Sequence, residues 1–179
     1  MFRLPMSGCF RRLVLVCLTA VCLPLPVRAQ ERAVVPRSQD LSPYGLELQW
    51  WGHAVIDPAR DYVVHVHVDE DNVYLQSHDG LVTAFQAESG RRLWSQLMGS
   101  TYKVSLPIGT NESEVYVAVG LQMYGLNKFT GEVLWELEMP HHPSTSPEAD
   151  SDHLYVGTVE GSMYCYDIDE LHTLWEAGR

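Results

Sequence analysis

Cysteine is nearly missing from this chain once its first 22 residues are set aside: Cys9, Cys17 and Cys22 fall there, and Cys165 stands alone beyond them. The rest of the chain therefore forms no intramolecular disulfide, even in an oxidising compartment. Acid is absent from the first thirty residues, which hold Arg3, Arg11 and Arg12 ahead of an apolar run over 13–25. Val27 and Ala29 then place small side chains where a signal peptidase cuts, so 1–29 reads as an export signal with a mature start at Gln30. The run is shorter than the ~20 residues that a spanning helix needs, so no membrane span is expected after cleavage. Val21, rather than a small residue, precedes Cys22, which argues against lipid anchoring. The exported chain is expected in the periplasm or outside the cell.

Positive charge is the next scarcity. Four of the twelve basic residues (Arg3, Arg11, Arg12, Arg28) leave with the signal, so eight remain against 23 acidic ones, a formal charge of −15. Such a surface repels phosphate backbones and anionic lipid, excluding nucleic acid as a partner class. Nucleophile and phosphate-loop motifs are also missing: there is no Gly-x-Ser-x-Gly, no glycine-rich phosphate loop and no His-Glu-x-x-His. No ten-residue stretch outside the signal shows helical periodicity, so the chain reads as all-β.

What is present is a repeat. "VYLQSHDGLVTAFQAESGRRLW" from Val73, "VYVAVGLQMYGLNKFTGEVLW" from Val115 and "LYVGTVEGSMYCYDIDELHTLW" from Leu154 share one register. Trp94, Trp135 and Trp175 are 41 and 40 residues apart; Tyr74, Tyr116 and Tyr155 are 42 and 39 apart. Each repeat opens on a β-branched and aromatic run and turns at glycine, with Gly80, Gly90, Gly131 and Gly161 at the expected bends. The third repeat lacks the Ser/Thr-Gly turn before its tryptophan and reads "IDELHTLW", a reshaped turn. Upstream, "GLELQWW" ending at Trp51 is 43 residues before Trp94, the spacing of a closing strand from an incomplete blade.

Four-stranded units recurring every ~40 residues are the mark of a β-propeller. "LYVGTVEGSMYCYD" and "TGEVLW" resemble the PQQ-like (BamB-like) propeller repeat, a family spanning outer-membrane assembly proteins and quinoprotein dehydrogenases. The resemblance implies a linker over 30–45 and PQQ-like repeats over 46–179, with blades at about 62–98, 102–139 and 144–179: three clear blades, a partial one and an incomplete ring. It also implies that Trp94, Trp135 and Trp175 dock each blade onto its neighbour. A ring takes typically 4–8 blades, so the reading is of the N-terminal portion of a longer protein, or of a chain that self-associates through open blade edges.

Two functions follow from the resemblance. One is a non-catalytic exported scaffold presenting blade edges to protein or polysaccharide partners of the cell envelope, without cofactor. The other is a fragment of a PQQ-dependent quinoprotein dehydrogenase, with quinone and Ca2+ in the channel; the adjacent cysteine pair of those enzymes has no counterpart here. His65 and His67 alternate with valines on one strand, so both rings share a face and form a weak metal candidate lacking further ligands. "PHHP" at His141 and His142 reads as an inter-blade loop, "NES" at Asn111 to Ser113 as a glycosylation sequon on a turn, and the acidic clusters between strands as solvated turns. Cys165, between two tyrosines, reads as a small packed side chain.

Overall fold

β-branched and aromatic runs bounded by Asp, Asn and Gly set up hairpins, and the computed structural model shows them as successive antiparallel meanders. The structure describes residues 35–99, 103 and 105–178. The export signal over 1–29, with Cys22, lies outside the described residues. Contacts divide the chain after Val35, and the fold below is that of the second unit, which starts at Pro36.

A short helix, α1 (Ser38–Leu41), and a 3-10 turn at Ser42–Tyr44 come first. The first sheet runs β1 (Val63–Val68), β2 (Asn72–Ser77), β3 (Leu81–Gln86), β4 (Arg92–Leu97), in that order. The second runs β5 (Gly109–Thr110), β6 (Glu114–Val119), β7 (Gln122–Asn127), β8 (Val133–Glu138). The third holds only β9 (Glu148–Ala149), β10 (His153–Gly157) and β11 (Met163–Asp167), and is followed by a helix, α2 (Ile168–Ala177). These are propeller blades, and the described set does not close.

The blades stack because β6 is apolar on both faces. Every residue of β6 is buried, and strand alternation sends Val115, Val117 and Val119 into one core with Tyr74, Val82 and Trp94 of the first blade. Tyr116 and Ala118 go into a second core with Leu154, Val156 and Trp135. A continuous run such as "VYVAV" is what a sheet sandwiched between two others requires.

The helix α2 corrects the expectation of a fourth strand, and of a chain without a helical stretch outside its signal. Both later blades begin this turn alike: the Asn127 side chain accepts from the amides of Phe129 and Thr130, and the Asp167 side chain from the amide of Glu170. In the second blade the turn then stops at Gly131, whose φ of +74° breaks the helical path. The third repeat has Leu171 there, for which the left-handed region costs about 1–2 kcal/mol, so the helix propagates. Asp167 and Glu170 form an Asp-x-x-Glu start, and Ile168, Leu171 and Trp175 make the apolar stripe.

Candidate functional site

The blade seams come first, because they position everything else. Trp94 is 8 % exposed; its indole Nε1 donates to the carbonyl of Lys128 at 2.9 Å, and its ring lies flat on Gly131 of the second blade. A Cβ at Gly131 would lie 2.6 Å from Trp94 Cδ2. Trp50, which sequence reasoning passed over in favour of Trp51, repeats this contact. Its Nε1 donates to the carbonyl of Ala87 at 2.7 Å, and a Cβ at Gly90 would lie 2.6 Å from its Cδ2. Ala87 and Gly90 occupy in the first repeat the places of Lys128 and Gly131 in the second. Trp51 is instead 53 % exposed, and residues 46–50 form no strand. The missed signal was Trp50 itself, one residue from the tryptophan singled out.

Trp135 finds no such seat, because Leu171 stands where the third blade would need glycine. Its ring turns over Gly125 of its own blade, where a Cβ would lie 2.2 Å from Cε2, and Nε1 donates to Glu114 Oε2 at 3.0 Å. Gly125 corresponds to Ala84 in the first blade, so the spare room is specific to this repeat. Glu114 is 4 % exposed and meets His172 Nε2 of α2 at 2.6 Å. Trp175 rides on α2, half-buried beside the second core, and not on a strand. Gly80, Gly90, Gly131 and Gly161 have φ of +88°, +67°, +74° and +78°. Gly131→Ala should cost about 2–4 kcal/mol, combining left-handed strain with displacement of Trp94. Gly161→Ala, with nothing within 4 Å, should cost only the strain, about 1–2 kcal/mol. Urea midpoints of the two variants check the difference.

His65 and His67 reach across the first seam rather than into solvent. His65 Nε2 is 3.3 Å from the Ser105 carbonyl oxygen, and His67 Nε2 is 3.1 Å from Thr110 Oγ1. Among the described residues, neither belongs to a cluster of three metal-ligating side chains. The two such clusters are Asp61, His78 and Asp79, and Asp150, Asp152 and His153. Both are turn caps: the Asp61 carboxylate accepts from the amides of Tyr62 and Asp79, and the Asp150 carboxylate from those of Asp152 and His153.

The same cap recurs in each blade. Asp69, Asn111 and Asp150 each accept from the amides two and three residues on, so the three acidic clusters are ordered turns lying at one end of the blades. The Asn111 amide also donates to the Asp150 carbonyl at 3.3 Å, tying the second turn to the third. Between them lies a cavity of about 530 Å³, lined by Asp69, Glu70, Asp71, Glu112 and Asp150, with Lys128 at its base. Lys128 is 4 % exposed; its ammonium is 3.1 Å from Asp69 Oδ2 and 3.7 Å from Asp71 Oδ2, and it donates to the Asn111 carbonyl at 3.4 Å. Burial pushes the Asp69 carboxyl up, but the amides of Asn72 and Asp71 and the Lys128 ammonium outweigh it and hold Asp69 below the usual carboxylate value. Since the folded value is depressed, this stabilisation is complete above the unfolded value near 3.8 and is lost as pH falls below it. Asp69→Asn should flatten the acid limb of the stability profile below pH ~4, read by urea titration at each pH.

Cys165 is exposed, contrary to the packed position expected of it, because among the described residues no blade packs on the face of the third sheet that carries it. Among the described residues, no helix is long and apolar enough to cross a membrane.

The model of the family described as "Outer membrane protein assembly factor BamB" matches residues 51–107 and 78–179. The outer membrane protein assembly factor BamB of Yersinia pestis is 23% identical over 137 residues, covering 70% of this chain and 35% of the relative. That of Shewanella oneidensis is 28% identical over 131 residues, covering 65% and 31%. The chain thus spans about a third of the length of the curated relatives it matches. Among solved structures, the C-terminal WD40 domain of Sif2 aligns with a TM-score of 0.55 at 12% identity, over 65% of this chain and 34% of that one. The computationally designed Ika4 protein aligns at 0.52 and 16% identity, over 59% and 66%. These structures support the propeller fold alone. With its family match running from the first blade through α2, the chain belongs to the BamB family of outer membrane protein assembly factors.

Proposed function

We propose that this chain is a non-catalytic, exported propeller scaffold for outer membrane protein assembly, binding protein partners on the periplasmic side through its blade surfaces. Family membership carries the reading. The turn end of the blades offers a surface for such contacts, an acidic cleft framed by the capped turns led by Asp69, Asn111 and Asp150. Such a cleft favours partners with basic or amide-rich loops through charge complementarity.

The test uses the exported full chain with a photo-crosslinker at Glu112. Capture of outer-membrane assembly components, lost in a Glu112→Lys and Glu70→Lys variant, is the expected result. Stoichiometric retention of pyrroloquinoline quinone with Ca2+ through gel filtration, together with alcohol- or aldose-dependent dye reduction, would overturn it in favour of a quinoprotein dehydrogenase.

A further inference from the structure

Phe129 is 63 % exposed on the turn between β7 and β8. In the other two repeats its place is taken by Glu88 and Asp169, charged side chains of the kind an exposed turn ordinarily carries. Seam packing does not call for an aromatic there, since Trp94 fills that part by meeting Lys128 and Gly131. The ring nonetheless stands on a fixed base. The Asn127 side chain accepts from the amides of Phe129 and Thr130, the Lys128 amide donates to the Ser113 carbonyl at 2.9 Å, and the Lys128 ammonium is anchored on Asp69. A turn ordered in advance gives up little conformational entropy when its ring meets a partner, as an anchor requires.

Phe129 is one wall of a groove of about 340 Å³ that crosses the first seam. Leu93, half-buried on the first core, adds a second apolar surface, and Glu70, Asp71 and Glu88 bring three carboxylates from two turns of the first blade. All three acids are exposed, and Glu70 and Asp71 also border the neighbouring cleft. Lys128, at the base of that cleft, is 3.1 Å from Asp69 and 3.7 Å from Asp71, so its charge is taken up there. Glu70 and Glu88 make no ion pair among the described residues. An aromatic face beside uncompensated carboxylates is complementary to a cation that is also flat.

We infer that this groove takes an arginine from an exposed loop of a protein partner, with the guanidinium on the face of Phe129 and its N–H groups donating to Glu70, Asp71 and Glu88. The inference rests on the envelope-assembly reading for the class of partner, and adds the residue by which that partner is held. Arginine suits the groove better than lysine does. A guanidinium is weakly hydrated and stacks on a ring, whereas an ammonium is a compact and strongly hydrated point charge. Its five donors in a planar fork also fit acceptors spread over two turns. The aliphatic stem has Leu93 to lie along. An apolar side chain would cover Phe129 but strip water from the carboxylates without replacing it, which disfavours such an occupant.

The isotope-labelled exported full chain is titrated with the acetylated and amidated pentapeptide Gly-Ser-Arg-Ser-Gly, and its backbone amides are followed by NMR. Saturable shifts at Glu70, Glu88 and Phe129 are the expected result, in the roughly millimolar range that a single anchor supplies. The peptide with lysine in place of arginine should bind about 3-fold or more weakly, and that with citrulline, which keeps the shape and loses the charge, about 10-fold or more weakly. Phe129→Ala should weaken the arginine peptide about 3–10-fold. Glu88→Gln should weaken it about 2–5-fold. Both side chains are exposed, so the amide spectrum away from the groove should keep its dispersion in each variant. The inference is overturned by the absence of saturable shifts up to about 10 mM peptide, by equal binding of the arginine and citrulline peptides, or by binding indifferent to both substitutions. Capture of assembly components at Glu112 without arginine binding sinks the groove and leaves the assembly role standing. Arginine binding without that capture supports the groove and counts against the assembly role instead.

Discussion

Trp135→Ala should destabilise the fold by about 3–5 kcal/mol, the range for truncating a large buried ring. Trp135 is 1 % exposed, lies in the second core with Tyr116, Leu154, Ile168 and Leu171, and holds Glu114 through its indole nitrogen. Its loss opens a cavity at the seam between the second blade and the third sheet, and leaves the buried Glu114 carboxylate with His172 as its remaining side-chain partner. Trp175→Ala should cost about 1–2 kcal/mol, because that ring is half-buried at the margin of the same core. Urea denaturation followed by circular dichroism compares them. Equal and small losses at both positions would refute the seam as the main source of stability between these blades.

The contrast between the two tryptophans shows where the sequence was readable. Period and alternation are carried by side chains that every blade must bury, so "VYLQS", "VYVAV" and "LYVGT" announce the strands and the two cores directly. The position of Trp94 follows too, because a glycine 41 residues after Gly90 keeps the seat flat for it. The helix was harder to see. A single change at the place of Gly131, to Leu171, lets a capped turn continue, and the tryptophan that ends the third repeat preserves spacing while losing its strand. The signal was present as Asp167-x-x-Glu170 followed by Leu171 and Trp175, but the repeat frame overrode it. The candidate site was less legible still. Acidic turns read as solvated clusters, and nothing in linear order shows that the caps led by Asp69, Asn111 and Asp150 gather around one buried lysine from a different turn. Lys128 is aligned with Ala87 and Ile168 in the other repeats, so the repeat itself carries no hint of it.

That lysine should behave as the keystone of the first seam. Its side chain is 5 % exposed, and it bridges Asp69 and Asp71 of the first blade to the Asn111 carbonyl of the second, while its own carbonyl receives Trp94. Removing one member of a buried ion pair costs about 3–5 kcal/mol, since the partner charge is left in a poorly solvated place. Lys128→Met should fall at the lower end, near 3 kcal/mol, because Asp69 keeps the amides of Asp71 and Asn72 and the Tyr74 hydroxyl, and Asp71 is free to turn into water. Asp69→Ala should fall at the upper end, near 5 kcal/mol, because it removes the turn cap and also strands the ammonium. The double variant Lys128→Met with Asp69→Ala should be less damaging than the two single losses added, by about 1–3 kcal/mol of coupling. The effect should persist in high salt, unlike that of an exposed pair, since little solvent reaches the ammonium. Denaturation of the four proteins at low and high salt decides it: a Lys128→Met change within about 0.5 kcal/mol of the unsubstituted chain would mean that the ion pair at the base of the cleft contributes nothing to holding the blades together.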